Sequence, residues 1–215
     1  MTTSAISVDT AAIVAEFGGQ SNTLADIMIG VGVVKDSEAV YFKYEGDDET
    51  TALMQANGKP VTRIGNVVLT GLTIDDEVYK DAGFEGSKLN VMLMTQQGRS
   101  VLLTSGLTTI WSQCLITSLM GLYAASALGH MIAIDTWKGT SKMKPCFSAV
   151  RDGQRKMTND EVYEALRDAR SDRDKDKTEA IMRDSIELIA QALAVEPTEV
   201  TEVTPEFWSI SRMVA

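Results

Sequence analysis

The 215 residues are enough for one domain with a substantial core and an appendage, and 44% hydrophobic with 23% charged residues is an ordinary globular balance. Two cysteines, Cys114 and Cys146, leave no room for a disulfide scaffold or a four-ligand zinc centre, and the single histidine, His130, is the one candidate for any histidine-dependent site. No run of about 18 apolar residues occurs, so no membrane span is expected, and the net charge of −10 speaks against a uniformly basic nucleic-acid coat.

Residues 26–45 read as two strands, IMIGVGVV and AVYFKYE, joined by Lys35-Asp36-Ser37-Glu38. An acidic loop, Gly46-Asp47-Asp48-Glu49, follows, and Asn57-Gly58-Lys59-Pro60 is a turn signal. Val61 to Ile74 is one long β-rich run in which Gly65 and Gly71 mark bulges or bends. After the polar loop 75–87, KLNVMLMT and SVLLT form a hairpin around Gln96-Gln97-Gly98-Arg99. Its first strand alternates Lys88, Asn90, Met92 and Met94 with Leu89, Val91, Leu93 and Thr95, so the second set is expected inside. Ile110, Trp111, Cys114, Leu115, Ser118, Leu119 and Leu122 fall at spacings of 3 and 4, which predicts an amphipathic helix capped by Thr108 or Thr109. Strands His130–Trp137 and Pro145–Val150 flank the loop 138–144. Thr158 and Glu161 form a capping box for a helix to about Ala169. The sign-alternating run Arg170–Lys177 is expected in solvent, and a second helix carries Met182, Ile186, Ile189 and Leu193 on one face.

Strand, strand, strand, helix, strand, strand is the layout of an OB-fold, a partly open five-stranded barrel. The expected class is therefore α+β, mainly β: an OB-like barrel over residues 60–157 with its helix between strands three and four, an N-terminal hairpin extension over 1–59, a helical arm over 158–195 and an acidic tail over 196–215. Its binding surface would be the face of strands two and three, rimmed by loops 75–87 and 138–144.

Motifs for catalysis are missing. Neither G-x-x-x-x-G-K-[ST], G-x-G-x-x-G nor G-x-S-x-G occurs. Ser141-Lys142-Met143-Lys144 has the S-x-x-K spacing without its companion motifs, and the acidic triplets at 47–49 and 75–77 lack calcium-loop spacing. No catalytic residue, metal or cofactor is expected; Trp111 is assigned to the core, and His130 to the core or a strand end.

Charge is distributed unevenly. Residues 1–133 carry 14 acids and 7 bases, residues 157–215 carry 14 and 7, but residues 134–156 carry 2 acids and 6 bases. That basic island holds Lys138, Lys142, Lys144, Arg151, Arg155 and Lys156 beside Trp137. Phosphates need cations along a groove and unpaired bases need aromatic faces. Arg99, Trp137, Lys138, Lys142, Lys144, Arg151, Tyr79, Phe84 and Lys88 are therefore the candidate nucleic-acid contacts. The other expectation, favoured by the acidic total, is a structural or assembly subunit whose surfaces touch only protein.

From Leu102-Leu103-Thr104-Ser105-Gly106-Leu107-Thr108-Thr109-Ile110-Trp111-Ser112 through His130–Trp137, the chain resembles OB-fold single-stranded DNA-binding proteins of phages and mobile elements. The resemblance rests on element order and implies sequence-tolerant binding of single-stranded DNA in replication or recombination. It also implies an acidic tail that recruits replication proteins, here 196–208 with Phe207 and Trp208 as anchors, although Ser209–Ala215 with Arg212 follow. Self-association through the hairpin or the helical arm, and a cytoplasmic setting with reduced thiols, complete the expectations.

Overall fold

Burial along Lys88–Thr95 follows the sequence alternation residue by residue: Leu89, Val91, Leu93 and Thr95 are buried, and Lys88, Asn90, Met92 and Met94 are half-exposed on the other face. The computed structural model describes residues 26–33, 37–45, 49–76, 86–141 and 143–194. Among these, the elements are β1 (Ile27–Val31), β2 (Tyr41–Glu45), β3 (Glu49–Ala52), β4 (Arg63–Asp75), β5 (Lys88–Thr95), β6 (Ser100–Gly106), α1 (Ile110–Ala124), β7 (Met131–Lys138), β8 (Cys146–Asp152), β9 (Arg155–Lys156), α2 (Asp160–Ser171) and α3 (Lys175–Ala194). All nine strands join one sheet in the order β3-β2-β1-β6-β5-β4-β7-β8-β9. Only β1 and β6 run parallel. The fold is α+β.

The five strands expected to make a barrel are present as β4, β5, β6, β7 and β8, with α1 between the third and fourth. They do not close on one another. Closure needs β6 beside β8, but β1 occupies the free edge of β6, from Ile27 opposite Val101 to Gly30 opposite Thr104, and β9 caps the end of β8. An edge that has gained a partner has no hydrogen bonds left for closing a ring. The sheet stays open and rolls instead. Its bends lie where the long run predicted them: register shifts fall between Ile64 and Val67, where Asn66 holds φ 57°, and between Leu69 and Gly71.

The roll brings β2 to β7. Leu53 N–H donates to Tyr41 O (2.8 Å), Val61 N–H to Leu53 O (3.0 Å), and Thr136 N–H to Thr62 O (2.7 Å). Inside the roll the Tyr41 hydroxyl meets Thr136 Oγ1 at 2.5 Å, and Trp111 Nε1–H donates to the same oxygen at 3.2 Å. Helix α1 lies within this curve, capped by Thr109, whose side chain accepts from Ser112 N–H. With β6 and β8 on one side and α2 and α3 on the other, α1 is buried nearly all round rather than along one stripe. Ser112 Oγ donates to Gly106 O (2.8 Å) and Thr117 Oγ1 to Gln113 O (2.8 Å), whereas Gln113 Oε1 has no partner among the described residues.

Helix α2 begins one residue later than the capping box places it. Asn159, not Thr158, is the N-cap, its side chain accepting from Val162 N–H. Met182, Ile186 and Ile189 of α3 and Leu166 of α2 enter the same hydrophobic cluster as Ile29, Tyr41, Leu103, Trp111 and Val150. The hairpin is thus part of the sheet and the helical pair is its cover. Among the described residues no helix is long and apolar enough to cross a membrane.

Candidate nucleic-acid interface

Among the predicted residues that are described, the only cluster that joins an exposed aromatic ring to cations lies on the face of the sheet turned away from the helices. In the β7–β8 pair, Trp137 stands opposite Phe147 and Asp135 opposite Ala149. Cross-strand partners project to the same side. The Trp137 and Phe147 rings accordingly stack, with centroids 5.8 Å apart and planes 15° from parallel, and Trp137 remains 42% exposed. One ring holds the other, and the outer face of the indole is offered to solvent.

Two residues earlier on the same face, Asp135 joins two guanidinium groups. Arg63, opposite it on β4, donates from Nη1 to Oδ1 (3.1 Å), and Arg151 on β8 donates from Nε to Oδ2 (2.6 Å). Arg151 Nη1 also reaches Gln154 O (3.3 Å). Two positive charges on one carboxylate leave a local excess of one beside the Trp137 platform. Ala133 and Ala149, on this outer face, are nonetheless buried, consistent with the arginine stems lying over them.

The remaining predicted residues scatter. Lys138 Nζ donates to Ser37 O (2.6 Å), and Lys144 Nζ pairs with Glu38 Oε1 (2.7 Å), so the 138–144 loop is latched to the segment before β2. Lys144, first by its hydrogen bond and then by its charge, holds the Glu38 carboxyl below its ordinary value. Lys88 lies opposite Asp75 and Gly106, at the far end of β4 from Arg63 and Asp135. The strand ends that bound loop 75–87 and those that bound loop 138–144 therefore lie at opposite ends of the sheet. Arg99 is exposed at the β5–β6 turn, and Arg155 and Lys156 are exposed on β9. Tyr79, Phe84, Lys142, Phe207 and Trp208 lie outside the described residues.

Arg63 and Phe147 are the contributors that sequence reasoning missed. Hairpin register could have found Phe147, since a turn centred on Lys142 sets it opposite Trp137. Nothing local marks Arg63, whose partner is 72 residues away. His130 pairs with Asp152 (2.9 Å) at the exposed start of β7, and Cys114 and Cys146 are free thiols, both pushed up chiefly by burial. Among the described residues no group of three or more histidine, cysteine or acidic side chains is placed to hold a metal. No protein-family model, curated protein or solved structure matches the chain.

Proposed function

We propose that this chain is a non-enzymatic, sequence-tolerant single-stranded DNA-binding protein of replication or recombination, in which an OB-like strand arrangement presents the ligand to the outer sheet face. The observation that carries the reading is the exposed indole of Trp137, braced on Phe147 and flanked by the Arg63–Asp135–Arg151 group. An unpaired base stacks on the indole, a contact worth about 1–3 kcal/mol, and the adjacent phosphates meet the guanidinium groups. Half-exposed Met92, Met94, Asn90 and Lys88 extend the surface along β5.

Polarisation of a labelled 30-mer oligothymidine at two salt concentrations tests this. Trp137→Ala should weaken binding by roughly 1–3 kcal/mol without changing the salt slope, since stacking releases no counterions. No binding by the natural chain at low salt and micromolar protein would refute the reading.

A second reading is favoured by another feature of the same face. Met28 lies opposite Leu102 and Leu102 opposite Met92, while Met94 and Met131 both flank Val68, and Met28 and Met131 are exposed. Such a methionine-rich surface suits a protein partner, as in an assembly subunit. Self-association that persists in high salt, with no oligothymidine binding, would favour this second reading.

A further inference from the structure

An apolar patch crosses the middle of the outer sheet face. Met28 on β1 stands opposite Leu102 on β6, and Leu102 opposite Met92 on β5. Alongside, Met94 on β5 and Met131 on β7 both stand opposite Val68 on β4. Cross-strand partners project to one side, so the six side chains share a surface. Met28 and Met131 are exposed, and the other four are half-exposed. Met92 lies over Gly71, in the space a Cβ there would fill, which keeps the patch low. The described helices belong to the other face, in one cluster with Leu93, Leu103 and Val150.

The chain carries a segment of matching pattern, attached beside this patch. Residues 1–25 lie outside the described residues and join the sheet at Asp26. Asp26 N–H donates to Ser100 O (3.1 Å) and Asp26 Oδ2 accepts from Ser100 N–H (2.8 Å), which fixes the junction next to Met94, the residue opposite Ser100. Within the segment, Thr10, Ile13, Val14 and Phe17 fall at the spacing of one helix face, with Asp9 placed to cap it and Gly18-Gly19 to end it. A helix of that length measures about 12 Å, and Met28 to Val68 is three strand spacings, about 14 Å. The linker 18–25 reaches at most about 26–29 Å, enough to return from any point of the patch to Asp26. Residues 195–215 leave instead from the end of α3, on the opposite face.

We propose that residues 10–17 of this chain dock as a helix across the outer face from β1 to β4, with Ile13, Val14 and Phe17 on Met28, Leu102 and Met92. Methionines adapt to such a partner because their side chains are unbranched and flexible. So short a helix is marginal alone in water, so it forms where its apolar face is covered. The linker holds it at an effective concentration of the order of mM, which a second copy at micromolar concentration does not match. The inference does not rest on the DNA reading, since Trp137, Arg63 and Arg151 lie outside the covered patch.

The test is methionine oxidation of the full chain by hydrogen peroxide, read residue by residue from peptide masses, with sedimentation velocity on the same samples. Met143, 88% exposed, calibrates the oxidant, and buried Met157 and Met182 report on the fold. Ile13→Ser combined with Phe17→Ser should speed oxidation of Met28 and Met92 at least about threefold, because exposure governs attack on a thioether. Met157 and Met182 should keep their rates, and Ile13→Leu combined with Phe17→Leu, which preserves an apolar face, should keep the protection. Unchanged rates at Met28 and Met92 in the serine variant overturn the proposal. Equal acceleration at Met157 and Met182 also overturns it, because the segment would then support the core and not this face. Protection that is lost on dilution together with a dimer overturns it too, and places a second copy on the patch. Each of these outcomes can occur with oligothymidine binding present or absent, so the two readings fail separately.

Discussion

Asp135 is the residue at which folding and the proposed DNA binding pull in opposite directions, so Asp135→Asn is the most informative single change. Its carboxylate joins Arg63 at 3.1 Å and Arg151 at 2.6 Å. The side chain is 24% exposed and the arginines are 37% and 36% exposed, so solvent screens both pairs heavily. Pairs of this exposure contribute about 0.2–1 kcal/mol each, and asparagine keeps one oxygen for a single guanidinium. The expected loss of stability is about 1 kcal/mol, or about 2–4 °C in Tm for a chain of this size. On the outer face, however, the local charge rises from one positive to two. A freed guanidinium gains a phosphate, which should steepen the logarithmic salt slope of oligothymidine binding by about 0.7 and tighten binding at low salt. Urea denaturation and polarisation over a salt series measure the two effects on one preparation. A folded Asp135→Asn protein that binds more weakly, or with an unchanged slope, would show that the triad is a structural brace and that phosphates do not approach it.

Two other substitutions test the packing and the latch. A Cβ on Gly121 would lie 2.5–2.7 Å from the backbone O, C and N of Thr158, atoms that cannot turn aside. Gly121→Ala should therefore destabilise by about 1–3 kcal/mol even though alanine is the better helix former by about 1 kcal/mol, and chemical denaturation would read the sign directly. Glu38 has a folded pKa depressed by Lys144, so its contribution is present above the ordinary value of 4.5 and is lost as pH falls through the folded value. Glu38→Gln should lower Tm slightly at neutral pH, with the difference shrinking as acid protonates the carboxylate; a difference that does not shrink however far the pH is lowered would mean the charge is not its origin.

The legible parts of the fold were those decided by neighbours in sequence. Alternation in Lys88–Thr95 gave the strand and its inner face, and the spacing of Trp111, Leu115, Leu119 and Leu122 gave α1. Sequence did not show that Ser112, Gln113 and Thr117 would also be covered, because only the arrival of α2 and α3 buries the second side. The parallel pairing of β1 with β6 was equally hidden: it joins residues about 74 apart and leaves no pattern in either segment. The basic island was visible as composition, but the fate of its charges was not. Ser37 and Glu38 lie 101 and 106 residues from Lys138 and Lys144, and only the roll of the sheet brings them together. Arg151 finds Asp135 through a hairpin, yet the third member, Arg63, comes from across the sheet.

The roll itself rests on a polar contact that sequence gave no reason to expect. Thr136 is buried on β7, and its hydroxyl meets the buried Tyr41 hydroxyl and accepts from buried Trp111 Nε1. Burial pushes the Tyr41 phenol upward, so the phenol stays protonated and keeps its hydrogen for this contact. Thr136→Val preserves shape and β preference but leaves an indole N–H and a phenol O–H without their partner. Each unsatisfied buried group costs about 1–3 kcal/mol, so the expected loss is about 3 kcal/mol, with a drop in Tm of about 6–12 °C. Thr136→Ser keeps the hydroxyl and should cost far less. Tyr41→Phe removes one of the two stranded groups, so combining it with Thr136→Val should cost less than the sum of the single changes. A Thr136→Val protein within about 0.5 kcal/mol of the natural chain, the range of an ordinary surface change, would mean that backbone pairing through Leu53 and Val61 sets the roll without this contact.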